Sequence, residues 1–219
     1  MRRQTSKLSN RDPRLTLTQP EIVTALTGID AISHALETYV TTKRNPISQI
    51  FSREAWKLLA GNFRRVLNDP DDLQARAAMQ LGAAYAGMAI ENSMLGASHA
   101  LANPLTATYS TAHGQAIGAV LPHVIRFNGE EFNPWYCELL QASEEIEGCP
   151  PVGAGAEGLA QFVTELVAAA GMKVDLKSLG VENSRLPELA DAAAKQWTGT
   201  FNPRKVNAKA LLGLYENAY

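Results

Sequence analysis

Apolar residues recur every three or four positions through most of this chain, which is the spacing that lines one face of an α-helix. Ile29, Ile32 and Leu36 follow this spacing, and Ile47 and Phe51 begin a second such series. Alanine supplies 33 of the 219 residues, and the sequence shows no alternation of strand-like and helix-like segments. We therefore predict an all-α fold, a helical bundle without an extended sheet.

Glycine and proline divide these periodic segments into separate helices. Gly28 predicts a break or a close contact with a neighbouring helix. Pro104 predicts two short helices in place of one, and Pro122 predicts a kink, because proline lacks a backbone donor. The predicted helices are 20–27, 29–42, 47–67, 71–92, 98–103, 104–111, 114–126, 155–170, 187–197 and 207–218, with a looser Pro- and Gly-rich stretch at 129–154.

The composition excludes several classes of protein. A net charge of −2 argues against a nucleic-acid binder that relies on bulk electrostatics. No apolar run reaches the ~18 residues of a membrane span, and the basic start MRRQTSKLSNRD lacks the apolar core of a secretory signal. Two cysteines, Cys137 and Cys149, are too few for a disulfide framework. We expect a cytoplasmic protein that binds neither nucleic acid nor membrane.

Three of the four histidines, together with one aspartate, could form a metal site. Asp30 and His34 are four residues apart, which places them one turn apart on the same helix face. His99 lies among small residues in GASHALA, and His113 lies within the turn segment STAHG. Taken singly, the Asp–His pair also fits a surface or capping arrangement, and the other two fit hydrogen-bonded core histidines. Taken together, three imidazoles and a carboxylate suit Fe(II), Zn(II), Ni(II) or Co(II), with a position open for substrate.

Two segments resemble the hallmark motifs of the iron-containing alcohol dehydrogenases. TGIDAISHALETYV resembles the family's metal-binding helix, and SMLGASHALANPLTATYSTAHGQAIGAVLPHVIRFN resembles its second motif, with histidines fourteen residues apart. DPRLTLTQPE and FNPRKVNAKALLGLYENA resemble the flanking segments. The resemblance implies the helical C-terminal domain of the dehydroquinate synthase-like fold. It also implies a divalent metal, Fe2+ first and Zn2+ or Ni2+ as alternatives, held by Asp30, His34, His99 and His113.

The same resemblance implies NAD(P)-linked oxidoreduction of a small alcohol or aldehyde, in which the metal polarises the alcohol oxygen. The sequence departs from the family in two ways. Asn103 stands where many members have a histidine implicated in proton transfer, and an amide cannot act as a general acid or base. The family's glycine-rich NAD(P)-binding loop is also missing, so we expect a lead-in at 1–17, a helical metal-binding domain at 18–219 and no nucleotide-binding domain.

NAD(P) would then be used only if a nucleotide-binding domain is supplied, and the chain is expected to be inactive alone. A stand-alone helical metal-binding or degenerate protein without redox activity is the alternative. A purely structural helical domain is a third possibility, which the matched ligand set disfavours.

Several further residues carry expectations of their own. His123 is expected to be structural, and Glu37 is expected to be a solvated carboxylate rather than a partner that orients an imidazole. An exposed apolar surface is expected around the site, which leads us to predict a two-fold homodimer, or pairing with a nucleotide-binding chain, through the face that carries Asp30 and His99. The residues of that expected surface are Ala31, Met94, Leu95, Ala97, Ala100 and Leu101.

Overall fold

A computed structural model describes residues 12–219, and these residues form helices with no β-strand. The prediction of an all-α fold is therefore confirmed. The α-helices are α1 (Glu21–Val40), α2 (Pro46–Asn68), α3 (Leu73–Asn92), α4 (Ala97–Tyr109), α5 (His113–Gln141), α6 (Gly155–Ala169), α7 (Leu186–Ala194) and α8 (Ala208–Asn217). Short 3-10 helices lie at Pro13–Thr16, Val152–Ala154, Asn183–Arg185 and Trp197–Phe201.

Helix α1 is the centre of the bundle and packs against α2, α3 and α5. Its second half is buried almost all round, because every residue from Ala31 to Val40 except His34 is buried. The buried residues include the polar side chains Ser33, Glu37 and Thr38, which must therefore find partners inside the protein. This central position places Asp30 and His34 next to the helices that follow later in the chain.

Side-chain caps fix where α2 and α3 begin. The side chain of Asn45 accepts hydrogen bonds from the backbone amides of Ile47 and Ser48, and that of Asp72 accepts from Gln74 and Ala75. Such caps satisfy amides that have no partner within the helix. The four residues between α2 and α3 make the two helices antiparallel neighbours, and they pack against each other along their length.

The predicted break at Gly28 is wrong, because α1 is continuous through that position. The alternative, a close contact, is what the structure shows: a side chain at Gly28 would overlap the ring of Phe63 on α2. The predicted division at Pro104 is also wrong, since α4 continues through it. Tertiary packing maintains the helix there despite the missing backbone hydrogen bond.

The stretch at 129–154 is only partly loose. Helix α5 passes through Pro122 and reaches Gln141. The backbone leaves helical geometry at Phe132 (φ −120°, ψ 24°), just before Pro134, rather than at Pro122. Residues from 142 onward form the turns that lead to α6. Among residues 12–219, no helix is long and apolar enough to cross a bilayer.

Candidate metal centre

The four predicted ligands meet where α1, α4 and the start of α5 come together. Oδ1 of Asp30 lies 3.5 Å from Nε2 of each of His34, His99 and His113. Nε2 of His34 is 3.1 Å from Nε2 of His99. The structure therefore brings together side chains that are up to 83 positions apart in the sequence (30 to 113).

Local structure explains how each side chain reaches this point. Asp30 and His34 project from one face of α1, His99 lies in the first turn of α4, and His113 is the first residue of α5. The neighbouring Gly114 lets α5 begin directly against α1, because a Cβ at that position would overlap the backbone carbonyl of Leu26. The close contact between the two helices thus depends on glycine.

The distances between these atoms suit a single bound cation. Ligand atoms about 2.1 Å from one ion in tetrahedral geometry are roughly 3.4 Å apart. Asp30, His99 and His113 each offer a ligand atom within 4.8 Å of those of the other two, and His34 joins them through its contacts with Asp30 and His99. Oδ1 of Asp30 is also buried and has no hydrogen-bond partner among the described residues. Buried polar atoms are rarely left unpaired in folded proteins. The residues therefore fit a divalent ion better than they fit a set of ordinary hydrogen bonds.

The centre is closed on one side and open on the other. The side chain of His99 is 7% exposed, whereas those of His34, Asp30 and His113 are 23%, 27% and 35% exposed. A cation bound there would be held by one buried and three partly exposed side chains, and it could be reached by a small molecule.

Glu37 is buried beside the centre, so its interpretation as a solvated carboxylate is wrong. Its Oε2 atom accepts a hydrogen bond from Nδ1 of His99 at 2.6 Å. Its Oε1 atom accepts one from the backbone amide of Ser98, also at 2.6 Å. The spacing of Asp30, His34 and Glu37 could have indicated this position, because residues three or four apart share one face of a helix. What the sequence does not show is that α4 covers this face.

Burial and neighbouring charges shift the pKa values of these groups. Burial opposes ionisation of both carboxyl groups. The three histidines nevertheless bring the pKa of Asp30 below its usual range, and His99 with the backbone amides of Ser98 and Gly96 does the same for the pKa of Glu37. Burial lowers the pKa values of His34 and His113. Burial also opposes protonation of His99, yet the charge of Glu37 and the contact with Asp30 raise its pKa to about 9. The centre therefore holds two carboxylates and two neutral imidazoles at neutral pH, and a cation there would displace the proton from His99.

Two other polar side chains from the sequence analysis lie outside this cluster. Asn103, one turn beyond His99 on α4, donates a hydrogen bond from Nδ2 to Oε1 of Gln196 at 3.0 Å. His123 is half-buried further along α5, and burial lowers its pKa.

The expected exposed apolar surface is wrong for four of its six residues. Ala31, Ala97, Ala100 and Leu101 are buried within this domain, and Met94 and Leu95 are partly buried. These residues pack between helices of the same bundle, so they do not by themselves form a surface for a second copy.

Comparison with known sequences supports the resemblance found in the motifs. The family described as the Fe-containing alcohol dehydrogenase family, C-terminal, matches residues 24–219. This chain belongs to that family.

Individual relatives match the chain over part of their own length. The 1,3-propanediol dehydrogenase of Klebsiella pneumoniae is 33% identical over 213 residues, which cover 97% of this chain and 55% of the relative. The lactaldehyde reductase of Escherichia coli (strain K12) is 32% identical over 205 residues, or 91% of this chain and 52% of the relative. The crystal structure of a 1,3-propanediol oxidoreductase superposes with a TM-score of 0.88 at 33% identity, covering 95% of this chain and 55% of that one. The chain thus spans about half the length of these relatives.

Proposed function

We propose that this chain is the metal-binding catalytic half of an iron-type alcohol dehydrogenase. The observation that carries the proposal is the convergence of Asp30, His34, His99 and His113 around a buried carboxylate oxygen that has no hydrogen-bond partner within residues 12–219. A divalent cation there, Fe2+ first and Zn2+ or Ni2+ as alternatives, would supply a Lewis acid that polarises a substrate oxygen.

The chain's own residues prepare the centre for this role. Asp30 brings the negative charge that attracts a cation, and Glu37 holds the ring of His99 in place. The partial exposure of His113 leaves an approach for a small alcohol or aldehyde. Asn103 is fixed by its hydrogen bond to Gln196. An amide neither gains nor loses a proton near neutral pH, so we assign Asn103 no acid–base role.

The reaction we propose is NAD(P)-linked oxidoreduction between a small alcohol and its aldehyde. The relatives named for propanediol and lactaldehyde support this class of substrate. We propose residues 18–219 as the metal-binding domain and 1–17 as its lead-in. We place the binding of NAD(P) in the part of the relatives that this chain does not match. The alternative is a helical metal-binding protein without redox activity.

The metal-loaded chain is expected to transfer no hydride by itself, because we place NAD(P) binding in the part of the relatives that this chain does not match. Oxidation of NADH and NADPH by lactaldehyde would be followed by absorbance. A chimera that joins the N-terminal half of the Klebsiella pneumoniae 1,3-propanediol dehydrogenase to this chain is expected to show turnover. The same chimera with His99→Ala is the matched control and is expected to be inactive.

Turnover by the chain alone would contradict the proposal that another domain must bind NAD(P). A folded, metal-loaded chimera without turnover would favour the alternative of metal binding without redox activity.

We also propose that the chain forms a two-fold homodimer or pairs with a nucleotide-binding chain. Light scattering would distinguish the two, since a dimer of this chain and a complex with a nucleotide-binding chain differ in mass. A cytoplasmic location fits the two cysteines, which are both free.

A further inference from the structure

The carboxylate of Glu37 is enclosed between α1 and the first turn of α4. Glu37 is 4% exposed. The two oxygens of its carboxylate contact different donors, the Ser98 N–H at Oε1 and Nδ1 of His99 at Oε2. The preceding loop leaves room for it, because a Cβ at Gly96 would lie 3.2 Å from Oε1. This carboxylate therefore has one fixed position in the fold.

These contacts determine where the imidazole carries its proton. A backbone N–H can only donate, and an ionised carboxylate can only accept. Nδ1 of His99 must then be the protonated nitrogen, because it faces an acceptor. The lone pair of the neutral ring is left on Nε2, which points at Oδ1 of Asp30 and Nε2 of His34.

We propose that Glu37 is a positioning residue that holds His99 in the one tautomer able to bind a cation through Nε2. This inference rests on the proposed function, since it assigns Glu37 a part in the same metal centre. Partners that orient a ligand histidine typically change metal affinity by about 10–100-fold when they are lost.

A single isosteric substitution separates this role from simple packing. In Glu37→Gln, the amide oxygen must face the Ser98 N–H, because an amide nitrogen there would oppose another donor. The amide nitrogen then faces Nδ1 of His99 and donates to it. Nδ1 becomes an acceptor and the proton moves to Nε2, where it competes with the cation.

The experiment compares the wild-type chain with Glu37→Gln and with the control Glu138→Gln. Glu138 is a carboxylate on α5 that accepts a hydrogen bond from Tyr39 of α1 at 2.8 Å, away from the metal centre. Zn2+ affinity would be measured by competition with a chelator. The tautomer of His99 would be measured from the nitrogen chemical shifts of 15N-labelled histidine in the metal-free chain, at a pH above the His99 pKa.

We expect Glu37→Gln to lower Zn2+ affinity by about 10–100-fold and to move the proton of His99 from Nδ1 to Nε2. Glu138→Gln is expected to change neither. Wild-type His99 with its proton on Nε2, or unchanged Zn2+ affinity in a folded Glu37→Gln chain, would overturn the proposal.

The two readouts also separate this proposal from the proposed function. If the wild-type chain binds no Zn2+, the metal centre fails, while the tautomer of its metal-free His99 still decides the role of Glu37. If Glu37→Gln does not fold, as judged by circular dichroism, the wild-type tautomer provides the same decision.

Discussion

Asp30→Asn is expected to lower the affinity of the chain for Zn2+ or Fe2+ by more than about 100-fold, since the loss of an outer partner alone reaches that size. Asp30 supplies a carboxylate oxygen that lies 3.5 Å from Nε2 of all three imidazoles. An amide of the same shape keeps the packing but removes the negative charge that compensates a divalent ion. Competition with a chelator would give the affinity.

The control for this substitution is Asp191→Asn, which makes the same change at an exposed position on α7. Its metal affinity is expected to equal that of the wild type. Circular dichroism should show the same helical content in all three chains. An Asp30→Asn chain that binds the ion as tightly as the wild type would show that the cation is held elsewhere.

Gly114→Ala is expected to destabilise the fold by about 1–3 kcal/mol and to weaken metal binding as well. The new methyl group would overlap the carbonyl of Leu26, and the backbone of α1 cannot move aside as a flexible side chain does. The start of α5 must shift instead, and it carries the adjacent ligand His113. Urea unfolding would give the stability, and chelator competition would give the affinity.

Gly87→Ala provides the matched control, because no atom lies within 4 Å of a Cβ at this position of α3. Alanine stabilises a helix interior by up to about 1 kcal/mol relative to glycine. We therefore expect Gly87→Ala to be slightly more stable than the wild type, with unchanged metal affinity. Equal effects of the two substitutions would contradict the close contact between α5 and α1.

The position of the centre could be predicted largely because its ligands belong to short local patterns. Asp30 and His34 are separated by one helical turn, which requires no knowledge of the rest of the fold. His99 and His113 were joined to them because three histidines and an aspartate together suit one divalent ion, and the resemblance of two motifs then supported the same set. The geometry now shows that α1, α4 and α5 bring all four side chains together.

Helix ends were harder to predict where proline and glycine were involved. Pro104 lies inside a continuous helix, because contacts with neighbouring helices outweigh the loss of one backbone hydrogen bond. Gly28 permits close packing against Phe63 instead of ending α1. In each case the outcome depends on residues distant in sequence.

The errors at Glu37 and at the expected apolar surface have the same origin. A carboxylate on a helix face is usually solvated, and nothing local shows that the start of α4 covers Glu37. Ala97, Ala100 and Leu101 lie near the ligands in sequence, but α4 turns them into the core of its own domain. Burial is a property of how helices pack, which periodicity alone does not determine.

The most direct test of the metal centre is a crystal structure of the chain grown with Zn2+, with anomalous diffraction recorded at the zinc edge. We predict one ion bound by Asp30, His34, His99 and His113, with distances from the histidine nitrogens of about 2.0–2.2 Å. Four ordered side chains without an anomalous peak between them, or an ion bound only at other residues, would contradict the account.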